Sequence, residues 1–99
     1  MIIINGKRWF DKVNGNTYHS VSVNVDGKHI GKSGIHYGYG EQYIQTAHAM
    51  LLDARVLPRT GERLKSGMDK DYNDFITDKM NNREKYYVTV SDVSRKKDL

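Results

Sequence analysis

The stretch Tyr37-Gly38-Tyr39-Gly40 alternates aromatic rings with glycines and runs directly into a helical pattern that begins at Glu41. Such a junction has a chemical use. Glycines let an anion approach the backbone, and the first amides of a helix are unpaired and carry a partial positive charge, so Gly40 and Gln42 are candidates to hold a phosphate. Tyr37 and Tyr39 are candidates to stack on a base. Glu41 opposes an anion there, and a plain strand-to-helix corner with tyrosines capping the core accounts for the same residues. At the level of sequence both readings stay open.

A second group of candidates closes the chain. Arg95, Lys96 and Lys97 in "SRKKDL" have the charge to grip phosphates, and arginine does so with a planar two-pronged fork. The competing reading is a frayed, solubilising basic tail over 92–99.

Other motifs fail on spacing. Gly31-Lys32-Ser33 resembles the end of a phosphate-binding P-loop, but Asp26 stands where the first glycine belongs and a strand, not a helix, follows. Gly38-x-Gly40 begins a dinucleotide fingerprint whose last position is Tyr43, next to an antiparallel sheet, so a Rossmann turn fails too. His19, His29, His36 and His48 have no metal-binding spacing, which leaves no metal or cofactor expected. No serine-histidine pair and no pair of carboxylates has a recognisable catalytic setting, so the chain reads as a binding protein and not an enzyme.

The elements that must position these residues follow from turns and periodicity. Asn5-Gly6, Asn14-Gly15 and Asp26-Gly27 each have the tolerance for positive φ that a tight hairpin needs, and they predict four strands over 1–4, 7–13, 16–25 and 28–37. In the third of these, His19, Val21, Val23 and Val25 share the face to be covered. The opposite parity of Ile30 and Ile35 calls for a bulge between Gly31 and Gly34. Tyr43, Ile44, Ala47, Met50, Leu51 and Ala54 form one apolar helical stripe that Pro58 ends. Residues 58–68 make a polar connection. Asp69 or Asp71 caps a second helix through Tyr72, Phe75, Ile76 and Met80, and Tyr86, Val88 and Val90 share one face of a last strand. The expected fold is a single α+β domain over 1–99, an antiparallel meander of four to five strands with two helices packed on one face.

Composition bounds the rest. The 99 residues suffice for one small core, and with no cysteine neither a disulfide nor a cysteine-based zinc site supports it. Sixteen Lys and Arg against 12 Asp and Glu give +4, which suits an anionic partner. No apolar run is long enough for a membrane span or a signal peptide, so the expected place of work is the cytoplasm in which the chain is made.

The segments "INGKRWF…NGNTYHSVSV", "YGYGEQYIQTA" and "VSDVSRKKDL" together resemble the small early proteins of tailed bacteriophages. Within that set, the Asp92-Val93-Ser94-Arg95 ending on an α+β domain is similar to the Thoeris anti-defence sponges. That resemblance implies a homo-oligomer in the host cytoplasm that sequesters a cyclic ADP-ribose-type immune signal between protomers without cleaving it. Arg95, with Val93 beside it, is the position the resemblance assigns to the phosphates, and Tyr37 or Tyr39 takes the stacking role from the loop chemistry above. Two alternatives stand beside it: a nucleic-acid-binding protein that uses the polar sheet face and basic tail, and a decoy that binds a host defence enzyme directly. Against the nucleic-acid reading stands the lack of an aromatic triplet on adjacent strands.

Overall fold

The computed structural model describes residues 1–99. Strands β1 (Ile2–Asp11), β2 (Asn16–Val25), β3 (Lys28–Lys32) and β4 (His36–Tyr37) are followed by helices α1 (Gln42–Asp53) and α2 (Lys70–Asn81) and by strand β5 (Tyr86–Val93). The architecture is α+β, with a five-stranded sheet in the order β3-β2-β1-β5 and β4 continuing the line of β3 along β2.

Two expectations about the sheet are corrected. Asn5-Gly6 is not a turn: β1 runs unbroken through it and pairs along its whole length with β2, from Ile2 opposite Val25 to Asp11 opposite Asn16. Gly6 is there for clearance, because a Cβ at this position would lie 2.6 Å from the Tyr43 ring. Glycine lets the start of α1 sit directly on the strand. Nor is the sheet wholly antiparallel, since β5 pairs with β1 in parallel, Ile2 opposite Tyr86 and Trp9 opposite Val93. A strand that returns through two helices arrives at the same end at which β1 began, as a crossover connection allows.

The other two turns form, with different geometry. Asp26 and Gly27 have φ of 50° and 82°, as a two-residue hairpin requires. Around Asn14-Gly15 the loop is four residues long and is held by Asp11, whose carboxylate accepts from the Val13 and Asn14 amides and from Asn14 Nδ2. The predicted strand 28–37 divides into β3 and β4, and the bulge falls at Ile30, one step before Gly31, because Gly31 pairs with Val23 and His29 with Asn24.

One buried cluster unites Ile2 and Ile4 of β1, Val21 and Val23 of β2, Tyr43, Ile44, Ala47 and Leu51 of α1, Phe75 of α2 and Tyr86 of β5. The α1 stripe meets the valine face where its periodicity points, except that Ala54, beyond the end of the helix, is exposed; of the α2 stripe only Phe75 joins the cluster, Tyr72 and Ile76 are half-buried, and Met80 is 67% exposed. Asp69 caps α2 by accepting from the Asp71 amide. Asp71 in turn ties down the 58–68 connection, accepting from the Thr60 amide and hydroxyl and from the Gly61 amide. These bonds hold its carboxyl below the usual range. The C-terminal residues are ordered against the chain's own sheet: Leu99 is buried, and Lys32 Nζ donates to its carbonyl at 3.1 Å.

Candidate functional site

Beyond the first turn of α1 the core face of the sheet continues uncovered. Its residues there are Arg8 and Phe10 of β1, Thr17 of β2 and Asp92 of β5, and the loop before α1 forms the opposite wall. The result is an open groove of about 380 Å³ lined by Arg8, Phe10, Lys12, Thr17, Tyr39, Gly40, Asp92, Val93 and Ser94. That volume lies within the range of small-ligand sites.

Two side chains of the sheet fix the loop. Arg8 is 27% exposed; its Nη1 donates to the Gly40 carbonyl at 3.2 Å and its Nε to Asp92 Oδ1 at 3.3 Å. A guanidinium has five donor hydrogens, so these two bonds leave three for a ligand. His19 is buried beneath the same loop, with Nδ1 3.2 Å from the Gly38 carbonyl and Nε2 2.7 Å from the Thr46 hydroxyl of α1. A carbonyl can only accept, so Nδ1 carries the proton and Nε2 accepts from Thr46. Burial pushes the His19 pKa down, which keeps the ring neutral and that tautomer in place.

The loop's glycines are required by its path. Gly38 and Gly40 have φ of 151° and 61°, and a Cβ on Gly38 would lie 2.1 Å from Gln42 Oε1. Gly38 also turns the chain so that the two neighbouring tyrosines part. Tyr37 pairs with Tyr18 on the sheet face opposite the core cluster, whereas Tyr39 lines the groove.

Of the residues singled out from sequence, the structure therefore brings Tyr39, Gly40 and Val93 to one groove. Tyr37 is on the other face. The Gln42 amide is engaged by the Tyr39 carbonyl, and its side chain lies against Gly38. Arg95 does not line the groove: its Nε donates to Asp98 Oδ2 at 3.2 Å in the turn that precedes Leu99. Lys96 lies on the same turn; the Asp11 carboxyl is held below its usual range chiefly by the Asn14 side-chain hydrogen bond, with Lys96 adding the smallest share.

Sequence reasoning passed over Arg8, Lys12 and Phe10. The signal was present in the strand alternation: Ile2, Ile4, Gly6, Arg8 and Phe10 keep one parity once 2–11 is read as a single strand matched in length to 16–25. No group of three or more His, Asp or Glu side chains is arranged to hold a metal ion, and no helix is long and apolar enough to cross a membrane. Compared with protein-family models, curated proteins and solved structures, the chain matches none.

Proposed function

We propose that this chain binds a nucleotide-type signal in the groove between Arg8 and Tyr39 and sequesters it without cleaving it, as the resemblance to the Thoeris anti-defence sponges implies. The observation that carries the proposal is the convergence of an exposed aromatic face, Tyr39, with two cations, Arg8 and Lys12, around one groove at the start of α1. An aromatic face stacks on a base while a guanidinium pairs with a phosphate through two parallel bonds. Asp92 opposes the anion and offsets part of the Arg8 charge, so an incoming phosphate competes with this exposed carboxylate for the guanidinium while Lys12 adds a second cation.

In this reading Arg8 takes the phosphate role that the resemblance gives to Arg95. The groove is open to solvent on its outer side, so a second protomer of the homo-oligomer that the resemblance implies would enclose the ligand if laid against it. Sequestration requires affinity and slow release, not chemistry.

The test is to incubate the protein with extract of an infected, signalling host, wash it, heat it and analyse the supernatant by mass spectrometry. An intact cyclic nucleotide released from wild type and absent from Arg8→Ala supports the proposal. A cleaved product, or no nucleotide from either protein, overturns it.

A further inference from the structure

The face of the sheet opposite the core cluster carries a row of three rings. Trp9, Tyr18 and Tyr37 are direct register partners on β1, β2 and β4, with centroids 5.9 Å apart between Trp9 and Tyr18 and 5.7 Å between Tyr18 and Tyr37, which corrects the expectation that no aromatic triplet stands on adjacent strands. Cross-strand packing explains the half-buried Trp9 and Tyr18. It does not require Tyr37, which ends the row 63% exposed.

The surroundings of the row are polar and cationic. No residue of this face belongs to the core cluster; Lys7 and Ser91 are exposed beside the rings, whereas Ser20 is buried and the chain's own C-terminus occupies the neighbouring part of the face, with Leu99 buried and its carbonyl bonded to Lys32, the partner of Ser22. The C-terminal turn adds Lys96 and Lys97 at the Trp9 end, because β5 finishes at Val93 opposite Trp9. Asp11, two positions after Trp9 on the same face, is ionised and opposes an anion at that end, its charge held in its own turn by three hydrogen bonds. The lysines beside the rings favour an anionic partner. A chain of bases and phosphates finds a π-surface flanked by positive charge.

We infer that this face is a platform for a single-stranded nucleic acid, with bases on the Trp9–Tyr18–Tyr37 row and phosphates on Lys7 and the C-terminal lysines. The rings lie on the reverse of the sheet from the groove's Arg8, Phe10 and Thr17, and the two surfaces meet only at the end of β5, where Val93, the register partner of Trp9, lines the groove.

Trp9 is the sole tryptophan, so its fluorescence reports on the row directly. The experiment titrates the full chain with oligo(dT) and oligo(U) of about a dozen nucleotides, with a duplex of equal length as control, while the groove is saturated with cyclic nucleotide. The expected result is saturable quenching by single strands, weaker binding of the duplex, and a log–log salt slope of about −1.5 to −3, as two to four phosphate contacts give. Tyr37→Ala, at an exposed position that leaves the fold intact, is expected to weaken binding about fivefold or more, the lower end for loss of one stacked base. Quenching by mononucleotides as strong as by oligomers, unchanged affinity in Tyr37→Ala, or no quenching overturns the inference. So does an emission shift that follows protein concentration alone, which identifies a second copy of this chain as the occupant.

Discussion

Replacing Gly6 with alanine places a methyl group where the Tyr43 ring already stands. The added Cβ would lie 2.6 Å from Cδ2 and 3.0 Å from Cγ of Tyr43, well inside van der Waals contact. Tyr43 is buried in the core cluster at the start of α1, so its ring cannot swing out to solvent, and the helix N-terminus must lift from β1 by roughly 1 Å to make room. Overpacking of this kind costs about 1–3 kcal/mol, and in a domain of this size each kcal/mol lowers Tm by about 4–8 °C. Thermal unfolding followed by circular dichroism should therefore show a fall of roughly 5–20 °C. Gly31→Ala is the control. Its Cβ would meet only the mobile end of Met50 at 3.7 Å, an ordinary contact, so its Tm should stay near that of wild type. Because the loop from Gly38 to Gly40 leads into the same helix end, Gly6→Ala should also weaken ligand binding in the groove. An unchanged Tm in Gly6→Ala, or an equal fall in both variants, would refute the assignment of Gly6 to clearance under Tyr43.

Further outcomes follow from the charged and polar network. Burial lowers the pKa of both His19 and His48 from the ordinary 6.5, so the unfolded chain takes up protons that the folded one refuses, and stability present above pH 6.5 is lost as the pH falls below it. Denaturant titrations at pH 7.5, 6.5 and 5.5 should show this decline, less steep in His48→Gln, and a flat profile contradicts it. Protonation of His19 in the folded chain, which its lowered pKa delays to a more acid pH, forces Thr46 to reverse its hydrogen bond, so binding in the groove should weaken only below the pH at which the loss of stability begins. Asp71→Ala frees the Thr60 and Gly61 amides, and limited trypsin digestion should then cut faster after Arg59 and Arg63; an unaltered rate means the connection is held by other contacts.

How much of this was legible in the sequence depends on the range of each interaction. The helical stripes were readable because Tyr43, Ile44, Ala47 and Leu51 repeat with the period of a single helix, and the Asp69 cap lies beside the helix it starts. Val21 and Val23 marked the core face for the same local reason. Asn5-Gly6 misled because a residue pair that tolerates positive φ looks the same whether a turn or a neighbouring ring demands the glycine, and the ring comes from Tyr43, 37 positions along the chain. That one error broke β1 in two, hid the parity that sets Arg8 beside the groove, and concealed the aromatic row from Trp9 to Tyr37. The parallel pairing of β5 was beyond reach for a related reason: the alternation of Tyr86, Val88 and Val90 specifies a face but not a direction. Likewise Tyr37 and Tyr39 looked like neighbours, and only the backbone turn at Gly38 sends them to opposite faces.

The most direct measurement is isothermal titration of the wild type, Arg8→Ala and Arg95→Ala with a panel of cyclic nucleotides that includes the cyclic ADP-ribose isomers. A groove built on Arg8 predicts saturable binding of at least one member by wild type and a loss of about tenfold or more in Arg8→Ala, as expected for removal of a charged hydrogen-bonding group worth about 1.5–3 kcal/mol. Arg95, paired with Asp98 away from the groove, should matter less. Binding that survives Arg8→Ala but is abolished in Arg95→Ala, or no binding of any member by the wild type, would contradict the account.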